Sequence, residues 1–179
     1  MFDKLVDLVV QFLDLFKPLR VVHAYQQAVL LRRGLFVRTL GPGWHLVIPL
    51  GVDEVICESV VTDTTRTGVQ ALTTADDVSV SVSVVVTWRV RSVRKLLLQV
   101  VGKEQAMLDA ATGVIARHVV GARWADLASE EFLDTITSEI AARAKKWGIV
   151  VDEVTWHDLV KAQTYRILGG PLSPSSPVS

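Results

Sequence analysis

A strict alternation of apolar and polar residues marks the stretch 78–91 as the central strand of the fold. Every even position from Val78 to Val90 is valine or Trp88, and the odd positions are mostly serine, threonine and arginine. Only a β-strand places alternate residues on opposite faces, and β-branched residues suit its backbone. A strand of this length cannot be stable alone. We therefore expect preceding segments to pair with it and following helices to cover its Val/Trp face.

The segments before the central strand are also predicted to be strands. Gly34 and Gly41-Pro42-Gly43 interrupt them as turns, and Asp76-Asp77 is a plausible hairpin turn into the central strand. The predicted strands cover residues 21–33, 35–40, 44–49, 55–67 and 69–74. The first half of the chain is therefore predicted to be an antiparallel β unit.

Helical periodicity follows the central strand. Helices are predicted at 93–101, at 103–120 and after Ser129, a good N-cap that precedes two glutamates. Gly148 suits the C-cap of the last of these helices. A closing strand at 149–156, a helix at 158–168 and a disordered Pro/Ser tail complete the reading. The fold class is α+β: an antiparallel sheet unit, packed helices, a closing strand and an N-terminal amphipathic helix.

Residues 1–17 have the spacing of an amphipathic helix that ends before Pro18. The segment is too short and too acidic for a spanning helix, and it lacks the basic start and the cleavage site of a secretory signal. We favour a helix that lies in a membrane interface, and the alternative is a helix packed on the domain or on a neighbouring subunit. Its candidate membrane contacts are Phe2, Leu5, Val6, Val9, Phe12, Leu13 and Phe16.

Composition narrows the function classes. The 179 residues suffice for a core without disulfides, and they suggest one domain or two small subdomains that share a core. The 19 basic and 19 acidic residues cancel, which argues against a general nucleic-acid binder. The single cysteine, Cys57, excludes an internal disulfide and a zinc site built on several cysteines.

No catalytic constellation is recognisable. The four histidines are scattered without metal-ligand spacing, and Cys57 is interpreted as a half-buried small residue of a strand. Ser79, Ser81 and Ser83 follow strand alternation, so we interpret them as a wet or partner-facing surface and as candidates for self-association. For Trp44 we favour a core position, and the alternative is a loop that dips into a membrane interface. No cofactor is expected.

The order of these signals resembles the band-7 or SPFH family, which includes stomatin, prohibitin and flotillin. QAVLLR at 27–32 with Gly41-Pro42-Gly43 and Pro49 is similar to the opening strands and turn of the family. Residues 72–80 resemble its entry into the long strand, Trp88-Arg89-Val90 resembles the end of that strand, and residues 148–159 resemble its closing strand. The likeness covers about residues 21–160, in order.

The resemblance implies a non-enzymatic scaffold that associates with membranes, forms homo-oligomers and regulates membrane proteases or channels. It implies an anchor at 1–17, the family domain at 18–160 and a short helix end with a disordered tail at 161–179. The family's coiled-coil extension is nearly absent, since Gly169-Gly170-Pro171 follows the last helix. We therefore expect a minimal member of the family or a truncation.

Two functions remain open at this stage. The first is a membrane-associated, oligomerising scaffold that contacts a lipid surface. The alternative is a soluble oligomeric binding module whose N-terminal helix contacts a partner protein. A nucleic-acid partner is not expected under either hypothesis.

Overall fold

The computed structural model describes residues 19–48 and 51–162, which form nine strands and four helices. The strands are β1 Leu19–Val22, β2 Gln26–Arg32, β3 Leu35–Leu40, β4 Gly43–Leu46, β5 Asp53–Ser59, β6 Asp63–Arg66, β7 Gln70–Thr73, β8 Ser79–Val90 and β9 Ile149–Lys161. The helices are α1 Val93–Gln99, α2 Lys103–Gly121, α3 Trp124–Leu127 and α4 Glu130–Ala144, and a 3₁₀ turn spans Lys145–Trp147. The predicted α+β class, with antiparallel sheets before the helices and a closing strand, is confirmed. The predicted helix at 1–17 and the tail lie outside the described residues.

Strand β8 organises the larger sheet, as its alternating pattern predicts. β6 and β7 pair in succession along one edge of β8, β9 pairs along the other edge, and all these pairings are antiparallel. The even-numbered residues of β8 are buried, and Trp88 is only 1% exposed. The larger core contains these residues together with Met107, Val114 and Ile115 of α2 and Ile136 and Ile140 of α4. The helices therefore cover the Val/Trp face of β8.

A second, smaller sheet is built around β2. β3 and β5 pair antiparallel with its two edges. Its alternate residues face two cores, because Val29 belongs to the larger core while Ala28 and Leu30 belong to a smaller one. β2 is therefore the wall that the two cores share. The smaller core also takes in Val22, Leu40 and Val47.

Several predicted strands were too long. The stretch 21–33 is divided at residues 23–25, and the stretch 55–67 is divided at residues 60–62. The first of these turns is held by a hydrogen bond from Gln26 N to His23 O (3.0 Å). Neither turn contains glycine or proline, so the residues that usually mark a turn are missing there.

The closing strand is longer than predicted. Residues 158–161 were expected to begin a helix, but β9 continues through them to Lys161 and pairs with the first half of β8. Leu159 lies opposite Val82 in this register, and Ala162 N donates to Ser79 O (2.8 Å). The twelve-residue strand β8 has a free edge long enough to pair with all of these residues. This pairing outweighs their local preference for a helix.

The N-cap predicted at Ser129 is confirmed, whereas α1 ends at Gln99 and not at residue 101 as predicted. Ser129 caps α4 by accepting a hydrogen bond from Phe132 N at its hydroxyl (3.2 Å). Gly148 ends the 3₁₀ turn that follows α4 with a left-handed φ of 78°, a conformation that glycine adopts without steric penalty. Its carbonyl accepts hydrogen bonds from Arg91 N (2.9 Å) and Ser92 N (3.0 Å). This single residue therefore links the end of β8 to the start of β9.

Candidate functional site: an exposed apolar ribbon

The most unusual surface of the molecule is the two-stranded ribbon formed by β1 and β4. The strands pair antiparallel, with Leu19 opposite Leu46 and Val21 opposite Trp44. Directly opposed residues point to the same face of a sheet, so these four large apolar side chains share one face. All four are exposed, Trp44 by 71% and Leu46 by 72%. We call these four residues the ribbon face.

The opposite side of the ribbon explains how the face is held outward. Val22 is buried there, and so is Val47, which directly follows β4. Both belong to the smaller core with Ala28, Leu30 and Leu40. Because side chains alternate along a strand, burial of Val22 directs Val21 to the other side. The packing that anchors the ribbon therefore exposes its outer apolar residues.

The exposed apolar surface continues beyond the ribbon. Ile48 extends the alternation of Trp44 and Leu46 and is itself exposed. It lines a groove of about 490 Å³ with residues of the β2–β3 hairpin and the start of β5. The lining residues are Arg32, Arg33, Leu35, Val37, Ile48 and Val52. Since Leu35 and Val37 are exposed as well, apolar side chains run from the ribbon face to the hairpin tip.

Asp53 fixes the ribbon to this hairpin. Its carboxylate accepts hydrogen bonds from Arg32 Nε (2.7 Å) and Arg32 Nη2 (3.2 Å), and also from Ile48 N (2.9 Å). The hydrogen bond from Arg32, followed by that from Ile48 N, lowers the pKa of the Asp53 carboxyl. The group is therefore ionised at neutral pH, and it holds the end of β4 next to Arg32.

Trp44 lies on the ribbon face, so the core position that we favoured for it is wrong. The sequence could not decide the matter, because both faces of β4 carry large side chains and only the tertiary packing shows which face is covered. His45, on the reverse side, donates from Nε2 to the carbonyl of Gly41 (2.7 Å). The other candidate membrane contacts, between Phe2 and Phe16, lie outside the described residues. The chain connects them directly to Leu19.

The three candidate self-association serines differ in accessibility. Ser79 is exposed and Ser81 is half-buried. Ser83 is fully buried, and its hydroxyl donates to Asp158 Oδ2 (2.8 Å). The expected wet face is therefore wrong at Ser83, because Asp158 of β9 already satisfies that hydroxyl.

A cluster of ionisable side chains around Glu139 has a structural role. Glu139 of α4 accepts hydrogen bonds from His118 Nε2 (2.7 Å), Arg117 Nη1 (2.8 Å) and Arg143 Nη2 (2.9 Å). The bond from His118 is the largest of the influences that lower the pKa of Glu139. This cluster joins α2 to α4.

Within residues 19–48 and 51–162, no group of His, Cys, Asp and Glu is arranged to hold a metal ion. Cys57 was expected to be half-buried, but it is exposed.

No helix among the described residues is long and apolar enough to cross a bilayer. The ribbon face instead offers two leucines, a valine and a tryptophan on a rigid β scaffold. Tryptophan is enriched at the depth of the lipid headgroups, so such a face suits an interface rather than a hydrocarbon core.

Comparison with known proteins gives one family and two archaeal relatives. A sequence model described as "SPFH domain / Band 7 family" matches residues 20–167. An uncharacterized protein of Methanocaldococcus jannaschii is 28% identical over 141 residues, which cover 77% of this chain and 70% of that protein. An uncharacterized protein of Archaeoglobus fulgidus is 28% identical over 162 residues, covering 89% of this chain and 64% of that protein. This chain thus spans only part of each relative.

Proposed function

Because the chain belongs to the SPFH domain or Band 7 family, we propose that it is a non-enzymatic, membrane-associated scaffold that forms oligomers and organises or regulates membrane proteins. Members of this family are generally membrane-associated and generally lack catalytic activity. The observation that supports the proposal most strongly is the ribbon face. It is an exposed apolar surface that includes Trp44, and it begins two residues after the amphipathic segment 1–17.

The geometry favours a monotopic attachment. Residues 1–17 have the pattern of a helix that lies in the interface plane, and Pro18 separates them from Leu19, the first residue of β1. The helix and the ribbon face are therefore close along the chain and can enter the same leaflet. Two shallow contacts bind a bilayer more firmly than one, since the second binds at the high effective concentration that the first creates.

The ribbon face supplies the first test. Replacing Trp44 and Leu46 together by serine should weaken binding to phospholipid vesicles by about thirtyfold. This factor corresponds to roughly 2 kcal/mol for two partly inserted apolar side chains. Flotation with vesicles of increasing lipid concentration measures the loss. Both side chains are exposed in the absence of lipid, so thermal unfolding should remain within a few degrees of the unmodified protein.

A matched control distinguishes loss of the ribbon face from a general decrease in the hydrophobicity of the protein surface. Leu98 and Val101 are also exposed apolar residues, but they lie on and just after α1. The double replacement Leu98→Ser with Val101→Ser should leave vesicle binding within about twofold. Equal losses in the two double variants would mean that the ribbon face has no special part in binding.

The amphipathic segment supplies the second test. Val9 lies in the middle of the apolar side of residues 1–17, so Val9→Asp should place a charge where lipid is expected. We expect vesicle binding to fall by at least about tenfold, without loss of the folded domain. Circular dichroism checks the fold, and flotation measures the binding. Unchanged binding would remove residues 1–17 from the attachment.

Self-association is the second half of the proposal. Ser79 and Ser81 remain accessible for it, whereas Ser83 is enclosed by its bond to Asp158. The partners that we propose are a second copy of the chain and a membrane protease or channel.

The alternative is a soluble oligomeric binding module in which residues 1–17 and the ribbon face contact a protein, since exposed apolar patches also serve that purpose. A chain that stays folded, forms a discrete oligomer in size-exclusion chromatography and does not float with vesicles would favour this alternative.

A further inference from the structure

The charge of the chain is distributed very unevenly around the ribbon face. The whole protein is neutral, with 19 basic and 19 acidic residues. Residues 15–52, however, contain five lysines and arginines and no aspartate or glutamate. This acid-free segment includes all four strands up to β4, and therefore the whole ribbon face. An excess of positive charge in the segment that builds an exposed apolar face is typical of surfaces that bind negatively charged partners.

Two of these arginines are exposed on the β2–β3 hairpin, and one of them borders the apolar groove. Arg33 stands at the tip of the β2–β3 hairpin, with a φ of 50°, and it lines the groove that contains Ile48 and Leu35. Arg38 is exposed on β3. Neither forms an ion pair with any other residue in the described ranges, in contrast to Arg32, which Asp53 neutralises (2.7 Å). Both guanidinium groups are exposed, and the charge of Arg38 also contributes to the lowered pKa of Asp53.

A third arginine lies on the ribbon itself. Arg20 is exposed and faces away from Leu19 and Val21, opposite His45 in the register. A long side chain at this position can bend toward the headgroup layer while its neighbours insert. Arg20 likewise has no ion pair within the described part of the chain, and with Arg33 it places guanidinium groups both on the ribbon and at the hairpin tip.

From this arrangement we infer that the ribbon face with Arg20, Arg33 and Arg38 recognises a bilayer surface that carries anionic phospholipid headgroups, and not lipid surfaces in general. The inference rests on the proposed function. Trp44 and the aliphatic residues supply insertion, and the guanidinium groups meet lipid phosphates and the surrounding negative potential. Arginine suits this role because its planar group binds phosphate oxygens through two hydrogen bonds at once. A bilayer fits better than an acidic protein, since Trp44 suits the depth of the lipid headgroups and its exposed apolar neighbours can insert beside it.

The expected selectivity follows from membrane electrostatics. Each basic residue near an anionic surface increases binding by roughly fivefold at moderate salt. The attraction is also screened by salt, because the Debye length falls from about 10 Å at 0.1 M to about 3 Å at 1 M ionic strength. Binding to anionic vesicles should therefore weaken as salt is added. The contribution of the inserted apolar residues should persist.

The test compares the full chain on two kinds of vesicle. One kind consists of phosphatidylcholine alone, and the other also contains phosphatidylglycerol. We expect the full chain to bind the mixed vesicles at least about tenfold more tightly. Replacing Arg33 by asparagine and Arg38 by glutamine should remove most of this difference while leaving binding to phosphatidylcholine unchanged. Asparagine is chosen because it tolerates the left-handed backbone at residue 33.

Two control variants accompany this substitution. Arg66→Gln with Arg123→Gln removes the same charge from exposed positions on β6 and before α3, and should keep the lipid selectivity. Arg33→Lys with Arg38→Lys preserves the charge and should keep most of the selectivity as well. If the Arg66/Arg123 variant loses as much selectivity as the Arg33/Arg38 variant, net charge is responsible and the local site is refuted.

The outcomes distinguish this inference from the proposed function. Equal binding of the unmodified chain to both vesicle types would overturn the anionic selectivity and leave membrane association standing. Binding to neither type would overturn both. Selective binding that disappears only in the Arg33/Arg38 variant, and that is restored by lysine at both positions, would support the inference.

Discussion

Replacing Trp88 by alanine should lower the free energy of unfolding by about 3–5 kcal/mol, the range typical of large-to-small changes in a packed core. Trp88 is among the largest fully buried side chains of the described residues, and the larger core surrounds it. Its Nε1 also donates to Thr65 Oγ1 (3.0 Å), which secures β6 against β8. Alanine would therefore leave a cavity in the core and remove the partner of the Thr65 hydroxyl.

Chemical denaturation monitored by circular dichroism measures this loss, and the chain contains its own control. Trp44→Ala removes the same side chain from an exposed position, so it should change the free energy of unfolding by no more than about 0.5 kcal/mol. A loss below about 1 kcal/mol for Trp88→Ala would mean that the facing of β8 is wrong.

Gly148→Ala should destabilise the protein by about 3 kcal/mol. A left-handed backbone costs a residue with a side chain roughly 1–2 kcal/mol, and the remainder comes from overpacking. A β-carbon on Gly148 would lie 2.7 Å from the carbonyl oxygen of Ser92 and 2.9 Å from Cβ of Lys95. The first neighbour is backbone and cannot turn away. α1 would have to move, and with it the two hydrogen bonds that Gly148 O accepts.

The control for this prediction is the same substitution in an open place. Gly113 lies inside α2, and a β-carbon there would meet only Arg143 Nη1 at 3.9 Å. Gly113→Ala should therefore stabilise the protein by roughly 0.5–1 kcal/mol through helix propensity. Thermal unfolding of both variants gives the comparison. If Gly148→Ala unfolds within about 1 kcal/mol of the unmodified protein, the link between β8 and β9 tolerates displacement and is less rigid than we describe.

The parts of the fold that the sequence predicted best are those with long uninterrupted periodicity. Seven even-numbered apolar residues define β8 unambiguously, since a shift of one residue would bury serine and expose valine. The helix ends were also predictable, because Ser129 and Gly148 act through local backbone chemistry. The family resemblance rested on the same segments, and the match over residues 20–167 confirms it.

The parts that failed depend on distant contacts. The turn at residues 23–25 has none of the usual turn residues, and the end of β9 at Lys161 is set by pairing with Val80. A short window of sequence contains no residue pattern that marks either this turn or this strand end. Strand preference depends strongly on the partner that a strand finds, and the sequence alone did not identify those partners.

The candidate site was predicted only in part for the same reason. The apolar pattern of residues 1–17 and the position of Trp44 beside the glycine-proline turn both suggested an interface. The pairing of Val21 with Trp44 and of Leu19 with Leu46 was not predictable, since it requires the register of β1 on β4. Without that register, four isolated apolar residues do not form a surface. The burial of Val22 and Val47 on the opposite side of the ribbon is likewise visible only in the folded chain.

The measurement that tests the central claim most directly is hydrogen–deuterium exchange of the full chain with and without anionic vesicles. The claim predicts slower exchange in peptides that cover Leu19–Val22 and Gly43–Leu46, where the ribbon face would meet lipid. It predicts no change around Leu98 and Val101, which are also exposed but lie elsewhere. Unchanged exchange in the ribbon when the protein is bound to vesicles would contradict the claim, and so would protection that appears only around Leu98 and Val101.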